Sequence, residues 1–219
     1  MTRNRANTSL CLALVASVVA LLGCRAETAH EKEYFVLEAK RQGAPAQGPI
    51  ENSTLEVSRL SVDAAFATKN LIYRTGQYEY QSDYYRQFLI SPGVMATEKT
   101  RDWLAEAGLF RQVLPVGSRL AADYTLEGTV TALYGDFRDP TNPAAILEIR
   151  FFLLMSVRGS EKVAFTDTYR AVTLVPGKTP EAFMAALNDS LVEILRRLEQ
   201  GLVDWRAERR AESTPAAGS

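Results

Sequence analysis

Near the start of this 219-residue chain, thirteen uncharged residues run without a break from Leu10 to Leu22, behind two basic residues, Arg3 and Arg5. A helix needs about 20 apolar residues to cross a bilayer, so this run is too short for a stable span. Its basic start, apolar core and small-residue end have the proportions of a secretory signal. That reading constrains the whole fold, because residues 1–23 are then removed and the remainder must fold outside the cytoplasm. Cutting there leaves 196 residues, enough for one domain with a sizeable core. A plain secretory signal and a short membrane anchor are the competing readings of the same segment.

The run ends Leu21-Leu22-Gly23-Cys24. A small residue directly before a cysteine, at the end of a leucine-rich core, resembles the lipobox of bacterial lipoproteins. The resemblance implies that Cys24 carries a diacylglycerol on its sulfur and an N-acyl chain on its new amine. No other cofactor is expected. Acylation at Cys24 gives an anchor far stronger than the marginal hold of a single chain. The expected location is the outer membrane, facing the periplasm, because Arg25 stands where an aspartate often retains lipoproteins at the inner membrane. The periplasmic face of the inner membrane is the alternative.

Composition then removes several classes of chemistry. Residues 1–23 hold two Arg and no acid, so the mature chain has 23 basic against 26 acidic side chains, a formal charge of −3. Nucleic acid is not an expected partner, since phosphate binding needs clustered Lys and Arg. Cys11 leaves with the signal and Cys24 is acylated, so no disulfide and no Cys-based zinc site is available. His30 is the only histidine, which excludes histidine triads and multi-histidine metal sites. The chain has neither a G-x-x-x-x-G-K-[ST] phosphate loop nor a G-x-S-x-G nucleophile elbow.

Periodicity predicts an α+β single domain. Its elements are a mixed, largely antiparallel sheet and two main helices, the long C-terminal helix packed on the sheet. The polar stretch to residue 33 reads as a lipidated tether (24–33), and the folded domain as 34–205. Tyr34–Leu37 is the first expected strand, RQGAPAQGP (41–49) a loop, and Leu55–Val62 a second strand with a bulge at Ser58-Arg59. Leu71–Arg74 and Tyr78–Tyr80 flank a Thr75-Gly76-Gln77 turn. Ser91, Pro92 and Gly108 punctuate a helix whose buried side carries Trp103, Leu104 and Ala107. Phe110–Leu114 follows as a short strand. From Tyr124 to Tyr134 the even positions form one apolar face. In Ile146–Val157 the odd positions do so, leaving Glu148, Arg150, Phe152 and Leu154 on the other face. A third long strand, Lys162–Val175, completes an antiparallel meander. Phe183, Leu187, Leu191, Ile194, Leu198, Leu202 and Trp205 form an amphipathic stripe, predicting a helix over 180–205. Residues 206–219 are expected to be a disordered tail.

The order of these pieces is similar to that of the ABC-type transport auxiliary lipoprotein family, the paraquat-inducible-lipoprotein-C-like components of MCE lipid transport systems. The carrying features are Cys24, YFVL (34–37) and NLIYRTGQYEYQSDYYRQFLISP (70–92), with Ile72, Tyr73, Arg74, Tyr78, Tyr84 and Pro92 at comparable positions. The family's W-A-E-P-P-like run is replaced here by RQFLISP, which marks a divergent member. The resemblance implies a non-enzymatic accessory that works with an MCE-type substrate-binding protein and an ABC permease and ATPase. It would dock that machinery at the membrane, and it leaves room for a homo-oligomer. A lipopolysaccharide-assembly or cell-wall-synthase-activating lipoprotein is the alternative, and a periplasmic lipoprotein hydrolase a further one.

Candidate partner-binding residues are Tyr73, Tyr78, Tyr80, Tyr84 and Tyr85, five of the nine tyrosines in thirteen positions. Tyrosine pairs an apolar body with a polar tip, which suits wet interfaces. The same residues fit an ordinary edge hairpin with aromatic cross-strand pairs. Phe152 and Leu154, on the otherwise polar strand face, either meet a partner or lie beneath a covering helix. Asp136, Asp139 and Glu148 are the acids that could act as general acid or base; their places at a turn and on a strand face fit solvated carboxylates. No catalytic or metal-ligating residue is assigned. The lipobox reading predicts that Cys24→Ser abolishes incorporation of a labelled fatty acid and releases the folded domain from membranes, or leaves it as full-length precursor. Equal labelling of variant and wild type would contradict it.

Overall fold

The computed structural model describes residues 31–213 apart from 46, 47, 49 and 158. The signal segment, Cys24, His30 and residues 214–219 lie outside the described residues. Nine strands and two helices are found among those described, in the order β1 (Glu33–Phe35), β2 (Ile50–Val57), β3 (Ser61–Val62), β4 (Asn70–Arg74), β5 (Tyr80–Phe88), α1 (Pro92–Ala107), β6 (Phe110–Leu114), β7 (Tyr124–Asp136), β8 (Ala144–Val157), β9 (Ser160–Leu174) and α2 (Pro180–Ser213). The α+β class and the packed C-terminal helix are as the sequence predicts.

Strand β7 organises the sheet. Along one edge it pairs antiparallel with β8, which pairs antiparallel with β9. Along its other edge three short strands follow one another, all parallel to it: β2 at Tyr124–Leu126, β3 at Thr129–Val130 and β4 at Gly135–Asp136. β6 adds in parallel to β2, β5 antiparallel to β4, and β1 in parallel to β5. Five of these eight pairings are parallel, so the sheet is mixed and not largely antiparallel. Short connections specify only the β7–β9 meander. The parallel pairs are made by segments that return to β7 from a distance, which local patterning does not report.

The expected Leu55–Val62 strand is two strands. Ser58 N–H still reaches the Leu126 carbonyl (2.9 Å), but Leu60 N–H is taken by the Thr97 hydroxyl of α1 (2.9 Å). The chain leaves the ladder there and rejoins it at β3. Within β7 the pairing with β8 shifts register between Val130 and Ala132. Strand side chains alternate with period two, so one extra residue turns the following ones to the opposite face. Tyr124, Leu126 and Val130 therefore face the main core, whereas Ala132 and Tyr134 face away into a second cluster with Ile72, Ala144 and Ile146. The single even-numbered apolar face predicted for 124–134 is corrected accordingly.

The main core lies between the sheet and both helices. All seven stripe residues of α2, Phe183 to Trp205, are buried. The Thr179 hydroxyl accepts a hydrogen bond from Ala182 N–H (3.2 Å), capping the helix start. At its far end α2 runs to Ser213, eight residues past the expected end, so 206–213 are helical where a disordered tail was expected. In α1, Gly108 closes the helix at φ 67°, a left-handed conformation glycine adopts freely. Ser91 holds the N-cap position, but it is its carbonyl, not its hydroxyl, that accepts Val94 and Met95 N–H.

A nearly buried ion pair ties the segment after β1 to both helices. Arg41 grips Glu199 of α2 through Nε and Nη2 (2.9 and 2.7 Å), and Trp103 Nε1–H of α1 donates to the same carboxylate (2.8 Å). Burial alone would raise the Glu199 pKa; the hydrogen bonds from Arg41 and Trp103 outweigh it and hold the carboxyl below its usual value. Glu199→Ala should destabilise the domain near the lower end of the about 3–5 kcal/mol typical of a broken buried pair, because Arg41 keeps the Gly43 and Ala44 carbonyls. A depressed carboxyl pKa contributes stability that is present above the unfolded-state value, about 4.5, and is lost as pH falls through the folded value. The stability gap between wild type and Glu199→Gln in denaturant melts should therefore be larger at about pH 7 than at about pH 3. A gap independent of pH would show that this carboxylate does not titrate with folding.

Candidate functional site

The five clustered tyrosines sit on the β4–β5 hairpin, and its geometry separates them. The turn is tied by Thr75 N–H to the Glu79 carbonyl (3.0 Å) and by Arg74 Nη2 to the Gln77 carbonyl (2.6 Å). Tyr78 stands at the tip, 88% exposed. Tyr73 and Tyr80 lie near each other in the hairpin but turn to opposite faces. Tyr73 packs edge-on against Phe137 and Phe183, ring centroids 5.3 and 5.4 Å away, on the helix side. Burial, followed by the Asp83 charge, pushes its phenol up to about 12. Tyr80 meets Phe66 and Tyr134 (6.3 and 5.5 Å) on the far side, with the Arg74 guanidinium over its ring at 5.6 Å. These three rings close the second cluster, Phe66 stacking on Tyr134 at 5.6 Å.

Tyr84 and Tyr85 owe their position to a break in the ladder. Asn70 pairs with Gln87 but its neighbour Leu71 pairs with Asp83, so residues 84–86 bulge from β5. Asp83 Oδ1 accepts both freed N–H groups, of Tyr85 (3.0 Å) and Arg86 (3.1 Å), and Oδ2 accepts from the Arg86 guanidinium (3.3 Å). Gln87 Nε2–H donates to the Tyr84 carbonyl (3.0 Å). The bulge re-aims the two rings outward, where they meet edge-on at 5.3 Å with Lys32 over Tyr84.

The hairpin also walls a cavity of about 290 Å³ at the start of α2. Tyr73, Phe137 and Phe183 form its apolar side, and Asp83, Arg86 and Lys178 its polar side. Gly135 lies against those three rings; a Cβ there would come within 2.6 Å of Phe137 and 3.1 Å of Phe183 and Tyr73. The Thr75 hydroxyl faces the same region, its oxygen buried without a hydrogen-bond partner.

Phe152 and Leu154 are half-buried on the face of β8 opposite the helices. Among the described residues no helix covers that face, which corrects the covering-helix reading. The neighbouring strand β9 extends it with Val163, opposite Leu154, and with Val172 and Leu174, opposite Ile146 and Ala144. These three are exposed. The alternation of Val172 and Leu174 with buried Ala171 and Val175 is the sequence signal of this second apolar face. Phe66 and Phe137, both loop residues, gave no periodic signal.

Each acid considered for catalysis has local partners. Asp136 pairs with Arg138 (2.6 Å), whose hydrogen bonds lower its pKa. Asp139 accepts from the Thr141 hydroxyl and amide and from Asn142 in its own turn, and these hold it at about 2. Glu148 accepts from the Thr131 hydroxyl (2.7 Å) and from Arg170 (3.1 Å), which keep it below the usual carboxylate range. Among the described residues no group of three or more His, Cys, Asp or Glu could hold a metal ion, and no helix is long and apolar enough to cross a membrane.

The fold is a mixed sheet with both helices packed on one face. Residues 35–198 match the family of ABC-type transport auxiliary lipoprotein components, and the chain belongs to that family. It is thus a lipoprotein-family component auxiliary to an ABC transport system. No curated protein matches the chain. Among solved structures it is similar to a protein from Xanthomonas campestris, with a TM-score of 0.66 and 17% identity over 84% of this chain and 98% of that one. An uncharacterised protein shares the fold with a TM-score of 0.60 and 14% identity, over 78% of this chain and 97% of its own.

The Asp83 geometry yields a direct prediction. Asp83→Ala should free the Tyr85 and Arg86 amides to exchange with solvent and cost about 1 kcal/mol, as loss of a capping side chain does. Asp83→Asn should retain most of the protection. Unchanged amide exchange in Asp83→Ala would show that the bulge does not depend on this carboxylate.

Proposed function

We propose that this lipoprotein is a non-catalytic docking subunit of an ABC/MCE-type lipid transport system. It is held by acyl chains on Cys24 at the periplasmic face of a membrane, the outer membrane in the first instance. The family match over residues 35–198 carries the reading. The surface that would meet the MCE-type substrate-binding protein is the helix-free sheet face, with Phe152, Leu154, Val163, Val172 and Leu174, together with the hairpin tip at Tyr78. Partly exposed apolar side chains set among Thr, Arg and Glu can release water while polar neighbours keep their hydrogen bonds. Tyr73 packs on the helix side and so acts on docking only through the hairpin's shape, whereas Tyr80, exposed on the helix-free side, borders the docking surface.

The test is capture of transport components from cross-linked membranes by the full-length protein, with partners identified by mass spectrometry. An MCE-type protein or an ABC permease should be enriched. Phe152→Ala/Leu154→Ala and Tyr78→Ala should fold normally, and at least one should reduce capture about tenfold or more, as loss of an interface hot spot of ~2 kcal/mol does. Enrichment of cell-wall or lipopolysaccharide machinery instead would overturn the transport reading. Undiminished capture by both folded variants would remove this face from the dock.

A further inference from the structure

Six exposed apolar or aromatic side chains gather at one corner of the sheet. Tyr34 and Val36 are on or just past β1, Tyr84 and Tyr85 are on the β5 bulge, and Leu89 and Ile90 follow β5; each is between 43 and 63% exposed. Their adjacency is set by the backbone. Tyr34 pairs with Gln87, and Leu89 N–H donates to the Phe35 carbonyl (2.8 Å), which brings Val36 beside Leu89. Phe35 and Phe88, the alternate residues of the same two strands, turn inward to the core. The corner is therefore a two-sided strand pair whose outer side is also apolar.

Three observations say what covers it. First, this corner is covalently nearest to the anchor. β1 begins at Glu33, nine residues after Cys24, and nine residues reach at most about 30 Å. Second, the residue types suit a bilayer surface. Tyrosine places its ring at the headgroup level with its hydroxyl in water, Leu and Ile favour the acyl boundary, and Lys extends its amine to phosphate. Lys32 lies over the Tyr84 ring at 4.2 Å. Third, Glu33 and Asp83, which would oppose contact with anionic lipid, both pair with Arg86 (3.0 and 3.3 Å), and Arg86 together with Lys32 balances their two charges.

We propose that the β1–β5 corner, through Tyr34, Val36, Tyr84, Tyr85, Leu89 and Ile90, rests in the headgroup region of the membrane to which Cys24 is anchored. This contact fixes the domain's orientation and turns the lipid anchor from a tether into a mount. The inference rests on the reading of Cys24 as the acylated residue. It assigns this corner to lipid, at the opposite edge of the sheet from the β8–β9 strands assigned to the protein partner.

The experiment uses the full-length processed lipoprotein in vesicles of phosphatidylethanolamine and phosphatidylglycerol. Acylated Cys24 leaves the mature chain without a thiol, so Leu89→Cys and Leu174→Cys can each carry a single environment-sensitive fluorophore. Both positions are exposed. With brominated acyl chains in the vesicles, the label at 89 should be quenched several-fold more strongly than the label at 174, and its emission should shift to the blue, as for a group buried about 5–10 Å below the surface. Equal, weak quenching at both positions in protein that floats with the vesicles would overturn the proposal while leaving the anchor intact. Protein that fails to float would overturn the anchor reading and the proposal with it. A label at 89 that responds only when transport partners are added, and not to brominated lipid, would place the corner in a protein interface and also overturn it.

Discussion

The structure depends on how β7 is shared. One thirteen-residue strand carries β8 along the whole of one edge and three separate parallel strands along the other. Its register shift at Val130–Ala132 then sets the two faces. Before the shift its apolar residues join the helix-covered core; after it Ala132 and Tyr134 serve a small cluster on the opposite side. Strict alternation would instead have placed Leu133 on that side and kept Ala132 and Tyr134 in the core. The shift gives it an aromatic cap at one end, where Phe66, Tyr80 and Tyr134 meet, and a helix-free stretch beyond.

With α1 and α2 on one face, the other becomes the natural place for contacts outside the domain. The α2 stripe is wholly consumed by the core, and Arg41, Trp103 and Glu199 lock the segment after β1 across both helices. The aromatic hairpin is divided in the same spirit. Tyr73 is held by Phe137 and Phe183, Tyr80 rests on Phe66 and Tyr134 with part of its ring exposed, and Tyr78, Tyr84 and Tyr85 remain at the surface. A family that serves ABC transport as an auxiliary lipoprotein calls for two kinds of contact, one with a membrane and one with the transport machinery. In the proposed arrangement the β1–β5 corner would serve the first and the β8–β9 end of the helix-free face the second, at opposite edges of one sheet.

Much of this was legible in the residues. Period-two alternation located the three long strands, and the 3–4 spacing from Phe183 to Trp205 identified α2 and its buried side. Ser91-Pro92 and Gly108 bounded α1. What could not be read has physical causes. The parallel pairings are long-range, and no local pattern records which edge of β7 a returning strand will join. A bulge is a one-residue event, invisible in the even-position alternation of 124–134 yet sufficient to invert Ala132 and Tyr134. The split of Leu55–Val62 depends on Thr97 of a distant helix capturing Leu60 N–H. Among the tyrosines, sequence gave the cluster but not its division, because Phe66, Phe137 and Asp83 decide it from loops and bulges. The tail beyond Trp205 looked polar enough to be unstructured, whereas the helix begun by the apolar stripe propagates through Arg206–Ser213, as cooperative elongation allows once a helix is nucleated.

In the proposed function the helix-free sheet face, rather than the helix layer, meets the transport machinery. The most direct measurement is cross-linking in living cells from a photoreactive amino acid placed at Val172, exposed on that face, and at Arg196, exposed on α2. Adducts with an ABC-transport component from position 172 and not from 196 are the predicted result. Adducts from position 196 alone would contradict it.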